Sequence, residues 1–306
     1  MRPSLAETTV LNYLLTLEYL TNALHQSGLA RFPSTAFTAA GLIADARGRF
    51  QQISDHETLH ISFLKSAIGN GATAPCTYTF NLTDPQSFVK TSILLKESSV
   101  AMYIGAIPLL TNATNVALAS SILAVQARHS AWASAAVVQQ TPWSGGFDAQ
   151  LSLNEGYSLI APYISKCPPT NPNLGLKTYP PLSASSLVKP ATTANGTTAT
   201  STTTQNLTSS AFMMSLGPIG TRSEHGRRAP NYLALLSGRS TVYVPINADN
   251  TVSVPNNLTG TVFGVVTTTT APVSNGTAAG FGVSDENVLA GPAILQFPVY
   301  AWQRQL

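Results

Sequence analysis

The first half of the chain repeats apolar residues with the three-to-four-residue spacing of an amphipathic α-helix. The predicted helices cover residues 5–27, 34–68, 84–110 and 114–138, and a shorter one covers 151–164. Gly28 predicts the end of the first helix, and Asp84 followed by Pro85 is a typical helix start. Long helices joined by short or moderate loops are typical of a four-helix bundle.

The pattern changes after the helices. Fifteen of the 28 residues from 183 to 210 are Ser or Thr, which predicts a linker or a glycosylated stalk with little regular structure. Runs of β-branched residues separated by Pro, Gly and Asn then predict strands at 241–246, 251–254, 259–270 and 293–297.

These patterns predict an α+β chain of two domains, each with its own core. We assign residues 1–168 to the helical bundle with its extra short helix and 169–210 to a Pro-containing, then Ser/Thr-rich linker. Residues 211–306 are assigned to a small antiparallel β domain or sandwich.

Composition restricts the possible partners. Charged residues make up 9% of the chain, against roughly 25% in an average soluble domain. The net charge of +3 is too small and too evenly spread to favour nucleic acid as a partner. No apolar run reaches the ~18 to 20 residues of a membrane span. No basic-then-apolar leader precedes the first helix, so we interpret the sequence as that of a mature chain.

The cysteines and glycosylation motifs favour an extracellular or cell-wall protein. Cys76 and Cys167 are the two cysteines, and six positions match the Asn-x-Ser/Thr acceptor pattern. Together with the sparse charge they predict a disulfide formed in an oxidising compartment. Two buried free thiols in a cytosolic protein are the alternative. The predicted acceptors are Asn81, Asn112, Asn195, Asn206, Asn257 and Asn275.

Candidate metal ligands lie on the apolar stripe of each long helix. In chain order they are Glu18, then Glu57 with His60, then Glu97, then Gln126 with His129. Residues three apart share a helix face, so a Glu-x-x-His pair can bind one ion. Any one of these residues alone is equally typical of an exposed surface. Carboxylates buried together require compensating cations, however, and the order Glu, Glu-x-x-His, Glu, x-x-x-His is that of metal-binding helix bundles.

The first ~165 residues resemble the secreted ferritin-like proteins of fungi, often described as stress-response proteins. The resemblance is carried by residues 17–20, 55–60, 95–97 and 122–129, and more weakly by the stalk and by 290–294. It implies one or two Fe or Mn ions, with Zn possible. Glu18 and Glu97 would be terminal ligands and Glu57 a bridging one.

Gln126 departs from that family pattern. An amide offers one neutral oxygen where a carboxylate offers two anionic ones, so we expect a weakened second metal and a hydrogen-bonding role for Gln126. Two functions follow. One is extracellular metal handling or oxygen or peroxide chemistry, by a metal-dependent oxidoreductase if it is an enzyme. The other is a structural or cell-surface stress-related role. Cell-wall carbohydrate bound by the β tail and homo-oligomers are further candidate partners.

Overall fold

The computed structural model describes residues 7–186, 212–217, 231–270 and 282–297. Its N-terminal part is helical, as predicted. The helices are α1 (Glu7–Arg31), α2 (Ser34–Ala39), α3 (Ala46–Ile68), α4 (Pro85–Ala106), α5 (Ala113–Trp132) and α6 (Leu153–Ile160). A π-helical turn, Ala133–Val137, continues α5.

Two helix boundaries differ from those predicted. α1 continues through Gly28 and ends at Arg31, because Gly28 lies at the contact between α1 and α4 and does not end the helix. A Cβ at Gly28 would lie 2.3 Å from the Phe88 ring, so only glycine allows α1 and α4 to approach this closely. The predicted second helix is interrupted after α2, where Gly41 has a φ of +75° that a continuous helix does not permit.

The start of α4 agrees with the sequence. The Asp84 side chain accepts a hydrogen bond from the Ser87 backbone N–H, and the Asp84 backbone N–H donates one to the Ser87 hydroxyl oxygen. α1 packs against both α3 and α4, and α5 packs mainly against α4. The α3–α5 pair makes the sparsest backbone contact of these four pairs.

The C-terminal part contains antiparallel sheets. Strands β5, β6, β8 and β9 form one sheet in the order β6-β5-β8-β9, and β3, β4 and β7 form another in the order β3-β4-β7. Their bounds are β3 (Ala184–Ser186), β4 (Phe212–Leu216), β5 (Tyr232–Ser237), β6 (Ser240–Pro245), β7 (Thr251–Val254), β8 (Gly260–Thr267) and β9 (Val288–Phe297). A two-stranded sheet pairs β1 (Thr77–Tyr78) with β2 (Ile164–Lys166).

The larger sheet lies between two apolar layers. Leu233 and Leu235 on one face join the core shared with the smaller sheet. Ala234 and Leu236 on the opposite face belong to the same apolar cluster as the helical region. Successive strand residues point to opposite faces, so one strand serves both cores. The core of the helices therefore continues into the sheet, whereas the sequence predicted a separate core for each part.

Cys76 and Cys167 form a disulfide, as predicted. The bond joins the loop before α4 to the segment after α6, beside the paired strands β1 and β2. Within the described ranges, no helix combines the length and apolarity needed to cross a membrane. Within the predicted linker, 169–210, residues Ala184–Ser186 form β3, because they pair with β4, whereas little regular structure was predicted there. Residues 187–210 lie outside the described residues. The two-domain boundaries thus stay a prediction.

A buried carboxyl group lies at the junction of the helices and the larger sheet. Glu155 of α6 is 1% exposed, and its Oε2 accepts a hydrogen bond from the Ser152 backbone N–H at 2.7 Å. Its Oε1 and the hydroxyls of Tyr13 and Tyr243 have no hydrogen-bond partner among the residues that the structure describes. Burial raises the pKa of Glu155 to about 7; the Ser152 backbone N–H opposes the rise, and the charge of Asp285 adds to it.

Replacing Glu155 with glutamine is expected to stabilise the protein at about pH 8 and to leave it little changed at about pH 4.5. The folded chain keeps the Glu155 proton up to about pH 7, whereas the unfolded chain releases it near the ordinary glutamate pKa of 4.5. This contribution to stability is therefore complete below pH 4.5 and is lost as the pH rises through 7, by an amount on the order of 3 kcal/mol. Urea unfolding across this range tests it, and equal pH dependence in variant and wild type would contradict it.

Candidate metal centre

Side chains from the four long helices meet in one buried cluster. Glu18 comes from α1, Glu57 and His60 from α3, Lys96 from α4, and Gln126 from α5. Glu18, Glu57 and Gln126 are 0% exposed and Lys96 is 1% exposed. Each lies on the inward face of its helix because residues three, four and seven positions away on that helix also face the core.

The Glu18 carboxylate is held by three donors. The Tyr103 hydroxyl donates to Oε1 at 2.6 Å, and the Gln126 amide donates to Oε1 at 2.9 Å and to Oε2 at 3.0 Å. His60 Nδ1 lies 3.1 Å from Oε2. Burial alone would raise the pKa of Glu18, but the hydrogen bond and charge of His60, and further interactions with Glu57 and Lys96, lower it to about 2. Glu18 is therefore ionised at neutral pH.

The Glu57 carboxylate is held by an ammonium group from another helix. Lys96 Nζ donates to Glu57 Oε1 at 2.6 Å and to the Gln126 side-chain oxygen at 2.7 Å. The Thr21 hydroxyl donates to Glu57 Oε2 at 2.6 Å. Lys96 thus connects Glu57 to Gln126 inside the protein, where an unpaired carboxylate would be strongly destabilising.

The pKa values of the two histidines shift in opposite directions. Burial alone would lower the pKa of His60, but its hydrogen bond with Glu18 and the charges of Glu18 and Glu57 raise it. Burial and the charge of Lys96 lower the pKa of His129 to about 3, so His129 is neutral. Its Nδ1 lies 3.7 Å from Glu57 Oε1 and has no hydrogen-bond partner in the described part of the chain. Its Nε2 lies 3.0 Å from His56 Nδ1.

A metal-compatible group emerges from this cluster. Single ligand atoms of Glu18, Glu57 and His60 all lie within 4.8 Å of one another. His129 Nδ1 lies 3.7 Å from the Glu57 carboxylate and is a fourth candidate metal ligand. Carboxylate oxygen and imidazole nitrogen are ligands that suit Fe, Mn and Zn.

Glu97 is not brought into this group. It lies one residue beyond Lys96, about 100° further around the helix, since an α-helix has 3.6 residues per turn. Its carboxyl group accepts a hydrogen bond from the Ser130 hydroxyl on α5. Burial raises its pKa to about 7; the Ser130 hydroxyl opposes this, and the charge of Asp148 adds to it. The α4 position that faces the cluster is occupied by Lys96, which our sequence reasoning missed.

The charges of the cluster favour one divalent ion over two. With His60 bound to the metal as a neutral ligand, the carboxylates of Glu18 and Glu57 and the Lys96 ammonium leave a single net negative charge. One divalent ion would then leave a net charge of +1, whereas two would leave +3 in a buried space. Lys96 Nζ lies 2.6 Å from Glu57 Oε1 and 2.7 Å from the Gln126 side-chain oxygen, so its positive charge would repel a second ion beside these groups.

Comparison with known proteins agrees with the helical part of this description. Residues 6–139 match the family model described as Ferritin-like domain. Protein rds1 of Schizosaccharomyces pombe is 28% identical over 166 residues, which are 54% of this chain and 41% of that relative. The chain therefore spans less than half of the length of the curated relative that it matches. The helical region is similar to ferritin-like domains and has a distant fungal homologue.

Proposed function

We propose that the helical region is a ferritin-like four-helix bundle that holds one divalent metal ion, and that the protein serves metal handling instead of two-metal oxygen chemistry. The observation that carries this proposal is the convergence of Glu18, Glu57 and His60 within 4.8 Å. His129 Nδ1, which lies beside Glu57 and has no hydrogen-bond partner among the described residues, supports it, because a buried nitrogen without a hydrogen bond is otherwise costly.

The surrounding side chains fix the ligands in place. Tyr103 and Gln126 hold Glu18 by hydrogen bonds, and Thr21 and Lys96 hold Glu57. Partners of this kind orient metal ligands and raise affinity. A bound Fe or Mn ion would supply Lewis-acid or one-electron redox chemistry, and Zn only the former. The Lys96 ammonium reduces the net negative charge of the cluster, and this disfavours a pair of metal ions bridged by a carboxylate.

Titration of the metal-free protein with Mn(II) or Zn(II) is expected to show saturation at about one ion per chain. His60→Ala should weaken this binding at least ~10-fold, because it removes the only imidazole of the Glu/His group. Ser62→Ala, an exposed position two residues further along α3, is the matched control and should bind as the wild type does. Calorimetry measures the affinity, and elemental analysis measures the number of ions per chain. Wild-type protein that shows no saturable binding would refute the proposal.

A structural role is the second candidate function, and Lys96 favours it. The Lys96 ammonium and the Gln126 amide already satisfy both carboxylates without any metal. If the bundle serves only as a scaffold, treatment with a chelator should leave its melting temperature unchanged, and added Mn(II) or Zn(II) should not raise it. A protein that binds metal in its folded state alone must be stabilised by that metal.

We also propose that the protein is secreted. The Cys76–Cys167 disulfide supports this, since such bonds persist mainly in oxidising compartments. The predicted acceptors Asn81, Asn112 and Asn257 are exposed, as glycosylation requires. The remaining acceptors, Asn195, Asn206 and Asn275, lie outside the described residues. Glycosidase treatment of protein from the culture medium should lower its mass, and an unchanged mass would contradict the glycan assignments.

A further inference from the structure

A groove runs along the bundle surface between α3 and α5. Its volume is about 700 Å³, and the side chains of both helices line it along several turns. It exists because α3 and α5 pack less closely than the other neighbouring helices. Volumes of this size are typical of sites for small organic ligands.

One end of the groove is apolar. Leu59 and Phe63 of α3 line it and are 57% and 62% exposed, respectively. Leu118, Ile122 and Val125 of α5 face them across the groove. Leu118 and Val125 are half-buried and Ile122 is buried, so Leu59 and Phe63 supply the exposed part of this apolar surface. Large apolar side chains exposed side by side are costly in water and mark a binding surface.

The opposite end is basic and polar. Arg49 and Gln52 of α3 and Arg128 of α5 line it. Asp45 also lies there, and Arg49 donates to its carboxylate at 3.4 Å and to the Gln52 side-chain oxygen at 3.1 Å. Ile53 and Trp132 add apolar surface to this part of the groove. Arg128 makes no ion pair or hydrogen bond with any residue in the described ranges. The excess of positive charge at this end favours an anion, and a guanidinium suits a carboxylate because it can donate two parallel hydrogen bonds.

We propose that this groove binds a medium-chain fatty acid, with its carboxylate at Arg128 and Arg49 and its alkyl chain along Leu59 and Phe63. The ten helical rises from Leu118 to Arg128 span about 15 Å, the length of an extended chain of roughly twelve carbon atoms. His56, His60 and His129 also line the groove, and the ring centroids of His56 and His129 lie 5.2 Å apart. The inference goes beyond the proposed metal site and does not depend on it.

Calorimetric titration of the full chain with dodecanoate, in the presence of a chelator, tests this inference. Saturable binding is expected, and octanoate should bind at least ~10-fold more weakly because each lost methylene removes apolar burial. Dodecyltrimethylammonium, which has the same chain and the opposite charge, should not bind in the groove. Equal affinity for both head groups would overturn the assignment of the basic end.

Two pairs of variants locate the ligand. Arg128→Ala should weaken dodecanoate binding at least ~5-fold, whereas Lys65→Ala, an exposed cation of α3 outside the groove, should not. Leu59→Glu should abolish binding, whereas Ser62→Glu, which adds the same charge on α3 outside the groove, should preserve it. Leu59 is already largely exposed, so its replacement is tolerated by the fold. No effect of either groove variant would overturn the proposal.

A second copy of the chain is the competing occupant of the groove. Sedimentation velocity on the wild type and on Leu59→Glu distinguishes a bound fatty acid from a second copy of the chain. Both proteins are expected to be monomers. A wild-type dimer that Leu59→Glu dissociates, without saturable dodecanoate binding, would show that the groove is an interface between copies and would overturn the proposal. Because every titration is made without metal, failure of the metal proposal leaves this test unaffected.

Discussion

Replacing Lys96 with methionine is expected to lower the free energy of unfolding of the metal-free protein by about 3–5 kcal/mol. The ammonium group donates to Glu57 and to Gln126, and the site is almost completely closed to water. Methionine fills a similar volume but leaves the Glu57 carboxylate without its cation. Breaking a buried ion pair from one side is costly because the remaining charge stays buried and uncompensated.

Urea unfolding in the presence of a chelator measures this loss. Lys90→Met is the matched control, since Lys90 is exposed on the same helix and its replacement should change stability by no more than about 0.5 kcal/mol. Adding Mn(II) or Zn(II) should restore much of the stability lost in Lys96→Met, because the ion supplies the missing positive charge. A loss below about 1 kcal/mol would show that Lys96 does not neutralise the site.

The double variant K96E/Q126E is expected to bind two divalent ions per chain where the wild type binds one. The variant places a carboxylate on α4 and turns Gln126-x-x-His129 into a Glu-x-x-His pair, which completes the arrangement known from two-metal helix bundles. Four carboxylates also match the charge of two divalent ions. In the absence of metal the same four charges repel one another, so the metal-free variant should be strongly destabilised.

The single variant Gln126→Glu distinguishes the effect of the added carboxylate from the effect of removing the Lys96 ammonium. It adds a carboxylate but keeps the Lys96 ammonium, so it should still take up one ion. Elemental analysis after reconstitution and removal of excess metal gives the stoichiometry of each protein. If K96E/Q126E also binds no more than one ion, then the geometry of the helices, and not the charge of Lys96, limits the site to a single metal.

Several parts of the site followed from helical spacing alone. Glu18, Glu57, His60, Gln126 and His129 were chosen because they lie on apolar stripes, and the structure brings all of them together. α3 has a clear buried stripe that includes Ile53, Glu57 and Leu64. The spacing of the apolar residues therefore fixed the inward face of α3 without knowledge of its neighbours.

The same reasoning failed on α4 because that helix is buried on most sides. The six consecutive residues from Ser98 to Tyr103 point in all directions around the helix, and all of them are buried. α1, α5 and α6 all pack against it, so no polar face marks its outer side. Glu97 was chosen because it lies in line with Ile93, Val100 and Ile104 on the predicted apolar stripe. A difference of one residue turns the side chain by about 100°, which exchanges an anion for a cation in the cluster.

The sequence by itself determined the helical character of the first half, the disulfide, the β-rich second half and most of the residues of the candidate metal centre. These depend on periodicity, residue type and spacing, which are local properties of the chain. Only the tertiary structure decided that Lys96 neutralises Glu57, that the core of the helices extends into the larger sheet, and that α3 and α5 leave a groove between them. Each of these depends on which elements become neighbours, and so on contacts between residues that are distant in the sequence.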